Sequence, residues 1–106
     1  MAWADVTPPT STWYKEWSGL MKVLSGSDTW NPGSLIDGAG ETSGDITVSG
    51  AVLGDFVLVS APYDLQGITC NGYVSAADTV KIRLQNETGG TIDLASGTWK
   101  AIVLQQ

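Results

Sequence analysis

Hydrophobic and polar residues alternate most cleanly between Thr79 and Gln85. There Val80, Ile82 and Leu84 fall on one side and Lys81, Arg83 and Gln85 on the other. That two-residue period belongs to a strand with one buried face. Ile46 and Val48 alternate in the same way with Thr47 and Ser49, and further strand-like runs cover Ile68–Ser75 and Thr98–Leu104. Phe56-Val57-Leu58-Val59 is apolar at every position, which predicts a central strand buried on both faces. Turn residues cut these runs apart: Gly50 and Gly54 around Ala51-Val52-Leu53, Pro62-Tyr63-Asp64 with Gly67, Ala76-Ala77-Asp78, and Ala95-Ser96-Gly97. Gly89-Gly90 is a favoured hairpin dipeptide and predicts a return as Thr91-Ile92-Asp93-Leu94. Turns at intervals of about 8–12 residues predict an all-β fold, a small antiparallel β-sandwich or barrel over residues 45–106.

The first third is patterned differently. Residues 1–31 hold Trp3, Trp13, Trp17 and Trp30, four of the five tryptophans. Pro8-Pro9 keeps the chain extended at that point. Trp13, Trp17, Leu20, Met21 and Leu24 then follow helical spacing, with Gly19 opposing a helix by about 1 kcal/mol relative to alanine. The pattern predicts an extended or partly helical tryptophan-rich N-terminal arm over 1–31. A glycine-rich connector, opened by the Trp30-Asn31-Pro32-Gly33 turn, covers 32–44, and the β-domain covers 45–106. Trp3, Trp13, Tyr14, Trp17, Leu20, Met21 and Trp30 form the candidate partner-binding set. Such residues either pack on the β-domain of their own chain or dock onto another protein, since aromatics supply large contact area at interface cores. A β-domain of about 60 residues is marginal alone and has little room for four extra indoles, which favours docking or oligomerisation.

Composition narrows the partners. In 106 residues the charged fraction is 15% and hydrophobics are 42%, which argues for an ordered chain, while the net charge of −6 bears on partners. Phosphate-backbone binding needs a surplus of Lys and Arg, so neither nucleic acid nor an anionic membrane is an expected partner. No apolar run is long enough to span a bilayer, and Met1–Thr10 lacks the pattern of a signal peptide. The lone Cys70 has no partner for an internal disulfide, which fits a reducing compartment.

Candidate chemistry is sparse. The chain has no histidine, which removes imidazole acid–base work and the Ser-His-Asp and Cys-His arrangements. Cys70 lies within a strand-like run and reads as a small buried hydrophobe. Among eleven carboxylates, Asp45 and Asp55 are the likeliest catalytic couple, although most acids flank Gly, Ser or Thr at strand ends, where they favour turns. Gly38–Gly44 superficially resembles a dinucleotide loop, but no strand precedes it and no helix follows. Asn86-Glu87-Thr88 matches a glycosylation sequon and reads as a turn. Lys81, Arg83 and Lys100 could form a small basic face. No catalytic residue, metal or cofactor is predicted, and the chain is not expected to be an enzyme.

Several stretches carry a resemblance: WNPGSL (Trp30–Leu35), GAVLGDFVLVS (Gly50–Ser60), VSAADTV (Val74–Val80), RLQNETGG (Arg83–Gly90) and DLASGTW (Asp93–Trp99). Together they resemble small structural proteins of tailed bacteriophages, described variously as capsid decoration, cement or head-fibre proteins. The resemblance spans about two-thirds of the chain, omits residues 1–29 and rests on structural residues. It implies a β-rich module, a virion location after synthesis in the host cytoplasm, and assembly with other copies, as a homotrimer. It also implies the major capsid protein as partner, bound at the outer capsid surface so that the head is stabilised. The alternative is a head-fibre or tail-associated binding module that contacts host glycan.

Overall fold

Val80, Ile82 and Leu84, the inward side of the clearest alternation, all lie fully buried at the centre of the protein. They belong to a computed structural model that describes residues 21–105. The described chain is all-β and antiparallel, with nine strands: β1 (Lys22–Trp30), β2 (Gly33–Leu35), β3 (Gly40–Thr42), β4 (Ile46–Thr47), β5 (Phe56–Ser60), β6 (Thr69–Ala76), β7 (Thr79–Gln85), β8 (Ile92–Leu94) and β9 (Gly97–Gln105). One sheet runs β1-β9-β5. In a second, β7 carries β6 along one edge and β3 then β4 along the other. A short β2-β8 pair accompanies them.

Inward residues of both sheets merge into one core. Trp99, Ala101 and Val103 from β9 meet Val80, Ile82 and Leu84 from β7, with Leu35, Ile46, Val48 and Leu94 at the ends. β3 and β4 are two halves of one interrupted strand. Between them Ser43 donates its amide to the Ile82 carbonyl at 2.8 Å, and its Oγ accepts the Ile82 amide at 2.9 Å. The side chain thus substitutes for a missing ladder bond at a buried position, where an unpaired amide is costly.

Two glycines set the seams where the sheets close on each other. At Gly26 of β1, a methyl group would collide with the Thr47 carbonyl of β4. At Gly72 of β6, it would sit 2.5 Å from Val59 Cγ2 and 2.7 Å from Val57 Cγ1 of β5. The absence of a side chain lets the strands approach. Gly72→Ala is therefore expected to cost about 1–3 kcal/mol through overpacking. Thermal melting of Gly72→Ala beside wild type reads the loss, and an unchanged melting temperature would show that the seam has room for a side chain.

Several expectations change. The sheet starts at Lys22, inside the stretch read as an arm, because β1 pairs with β9 along its whole length. The helical pattern over 12–24 therefore gives way to a strand from Lys22, and residues 12–20 lie outside the described part. The connector also carries structure, as β2 and β3. β5 is an edge strand rather than a central one, pairing only with β9. After Gly89-Gly90 the chain does not return along β7, because β8 pairs with β2. The 86–90 turn is held to the β2–β3 region instead: Gly89 donates its amide to Asp37 Oδ1 at 2.9 Å, and Asn86 Nδ2 donates to the Leu35 carbonyl at 2.8 Å. The Ala77-Asp78 turn between β6 and β7 is as expected, with Asp78 at φ 62° and a bulge after Val74.

Candidate interaction site

The outer face of the β1–β9–β5 sheet is built by strict alternation around strands whose other face fills the core. Cross-strand register sorts its outward residues into rows. Val23, Leu104 and Phe56 form the first row, and Ser25, Ile102 and Leu58 the second. The third row is Ser27, Lys100 and Ser60. Val23 is 66% exposed, Phe56 64%, Leu58 57% and Ile102 40%, so the first two rows make a contiguous apolar patch in solvent. Leu53, in the loop that leads into β5, is also 69% exposed. That loop is braced by Asp55 Oδ2, which accepts the Val52 amide and Gln105 Nε2, both at 3.0 Å.

Toward the third row the patch opens into a groove of about 520 Å³. Leu58, Ile102 and Lys100 rise along it, while Ser25, Ser27 and Ser60 are short enough to leave the sheet surface accessible. No acid occupies an outward position in these three rows, in a chain of net charge −6. Lys100 is the one charged side chain among them. Contiguous exposed apolar patches are uncommon on monomeric proteins, which makes this face the candidate contact surface.

The other candidates disperse. Asp45 lies 3.6 Å from Lys81 in an ion pair, while Asp55 caps its own loop, so each carboxylate of the couple has a structural partner of its own. Arg83 donates to Thr42 Oγ1 at 3.0 Å. Lys81 and Arg83 sit on the outside of β7 and Lys100 on the outside of β9, which splits the basic face between two sheets. The Gly38–Gly44 stretch contains β3, Gly40–Thr42, rather than a phosphate loop. Cys70 is half-buried, and burial pushes its thiol above the usual range, so it stays protonated at neutral pH. Asn86 of the sequon is fully buried with both amide hydrogens engaged, on the Leu35 and Gly90 carbonyls, which leaves no site for a glycan in the folded chain. Among the described residues no cluster of Cys, Asp and Glu could hold a metal ion. No helix there is long and apolar enough to cross a membrane.

Of the partner-binding set, Trp3, Trp13, Tyr14, Trp17 and Leu20 lie outside the described residues. Met21 is half-buried just before β1. Trp30 has a structural job: its ring packs on Trp99 with centroids 5.1 Å apart at the end of β1. The sequence pattern missed Phe56, Leu58, Ile102 and Val23 as surface residues. A usable signal was present in the serines of Ser25-Gly26-Ser27, which alternate too politely for a buried strand.

Comparison of the chain with protein-family models, with curated proteins and with solved structures finds no match. The geometry above is therefore what bears on function.

Proposed function

We propose that this chain is a non-enzymatic virion structural protein that binds the outer surface of a bacteriophage capsid and stabilises the head. The observation that carries the reading is the acid-free apolar face of the β1–β9–β5 sheet. The face includes Val23 near the start of β1, and the tryptophan-rich residues 1–20 precede that strand in the sequence. Apolar area removed from water is worth about 25 cal/mol per Å², and a capsid lattice repeats that gain at every occupied site. The partner in this reading is the major capsid protein. Assembly with further copies of this chain, as a homotrimer, would add avidity without new contacts. The phage assignment itself comes from the sequence resemblance.

Exposed Phe56 and Tyr73 favour a second reading, a head-fibre or tail module that stacks on host glycan. Copy number separates the two. Copies spread over the whole lattice indicate decoration, whereas a handful at one vertex indicate a fibre or tail part. The leading reading is tested by heating purified particles with and without the bound protein. Decorated particles should release their genome at a higher temperature, and identical release curves would remove head stabilisation as the function.

A further inference from the structure

We propose that copies of this chain associate head to tail, with the acidic β2–β3 tip of one seated in the groove of the β1–β9–β5 face of the next. The tip is apolar and acidic together. Ile36, 64% exposed, stands in the turn between β2 and β3. The 86–90 turn is bonded to it and adds a second carboxylate. Asp37 Oδ1 accepts the Gly89 amide at 2.9 Å, and Gln85 Nε2 donates both to Glu87 Oε2 at 2.8 Å and to the Gly38 carbonyl at 3.0 Å. Neither turn contains a Lys or Arg, and Arg83, lower on β7, donates to Thr42 instead. One exposed aliphatic side chain thus shares a braced tip with two carboxylates.

The groove has the complementary chemistry. Leu58 and Ile102 give it an apolar wall, and Lys100 is its one charge, flanked in register by Ser27 and Ser60. Among the described residues Lys100 has no carboxylate partner, since Asp45–Lys81 is the one ion pair there. Two such faces stacked on each other would set Lys100 against a surface without an acid, so a symmetric contact leaves both charges unanswered. The tip answers Lys100 with Asp37 and Glu87, while Ile36 meets Leu58 and Ile102. A chain does not serve itself. Gly50 joins the first-row end of the face to the start of β7, accepting Gln105 Nε2 at 2.8 Å and donating to Asp78 Oδ1 at 2.7 Å. The tip follows the far end of β7, seven residues or about 20 Å on, and supplies none of the groove's lining. The contact is therefore heterologous, and such contacts close into rings when the rotation permits. A ring of three rests on the homotrimer of the proposed function; the contact itself does not. Val23, Leu104 and Phe56 lie outside the groove and remain for the capsid.

Sedimentation equilibrium of the full-length protein, without capsids, reads this contact. Wild type should associate as its concentration rises. Lys100→Glu and Glu87→Lys, both at exposed positions, should each weaken that association, the first by about tenfold or more because attraction becomes repulsion. The double variant Lys100→Glu/Glu87→Lys exchanges the charges and should regain part of the loss, with every melting temperature near that of wild type. Ile36→Ser, which leaves all charges in place, should also weaken association by removing the apolar part of the contact. A wild-type chain that stays monomeric at every concentration would overturn the proposal. So would association that Lys100→Glu and Ile36→Ser leave unchanged, or a double variant no better than Lys100→Glu alone. Particle heating tests the capsid reading separately, so either can fail while the other stands.

Discussion

Trp99→Ala is expected to lower stability by about 3–5 kcal/mol, the usual range for deleting a buried tryptophan. The residue is fully buried at the start of β9, the strand that both β1 and β5 pair with. Trp30 leans on its ring at 5.1 Å, and Tyr63 meets it edge-on at 5.8 Å and 88°. Removing the indole empties the site and releases the end of β1 that Trp30 anchors. For a domain of this size each kcal/mol moves the melting temperature by about 4–8 °C, so the loss should be plain in a thermal scan. Trp99→Phe should cost far less. The Trp99 Nε1 proton is buried and makes no hydrogen bond of good geometry, so phenylalanine orphans no partner. That proton does act on the nearby Tyr63 phenol. Burial raises the phenol above its ordinary value, and the indole N–H offsets part of the rise. An equal loss for Ala and Phe would show that the site depends on the indole nitrogen after all.

Asn86→Ala is the second large effect. Asn86 is fully buried, and its amide donates to the Leu35 carbonyl at 2.8 Å and the Gly90 carbonyl at 2.9 Å. Its Oδ1 accepts the Thr88 amide at 2.9 Å and the Thr88 hydroxyl at 2.8 Å. Every polar capacity of the side chain is used, and it ties β2 to the turn after β7. Truncation leaves several groups unpaired, each worth about 1–3 kcal/mol where no water reaches. A total loss of about 3 kcal/mol or more is expected in denaturant titration. Asn86→Asp should be nearly as damaging, because a carboxylate cannot donate to the two carbonyls. A variant within about 0.5 kcal/mol of wild type would contradict the assignment.

How far the sequence led can be judged from particular residues. β7 was readable because Val80, Ile82 and Leu84 have polar neighbours of the opposite facing, so period alone fixes the buried side. β5 was not, because Phe56-Val57-Leu58-Val59 looks alike whether both faces are covered or one is bare. Only tertiary context separates these, and here the bare face belongs to Phe56 and Leu58. β1 was misread because Leu24 shares a helical spacing with Trp13, Trp17, Leu20 and Met21, while Gly26 matters only once β4 lies against it. The Gly89-Gly90 hairpin failed for a different reason: a long-range side-chain network around Asn86 outcompeted local turn chemistry. The candidate surface was partly legible. Of the aromatic set in the first third only Trp30 lies among the described residues, and it packs on Trp99, whereas the apolar sheet face emerges only from register.

The central claim is that apolar contact by residues 1–20 and the adjoining sheet face, rather than any reactive group, carries the protein's function. Its most direct measurement is occupancy on purified capsids by the full-length Trp13→Ala/Trp17→Ala variant, titrated beside wild type. Loss of two large anchors should weaken binding at least about tenfold while the β-domain melts as before. Wild-type occupancy by that variant at every concentration would contradict the claim.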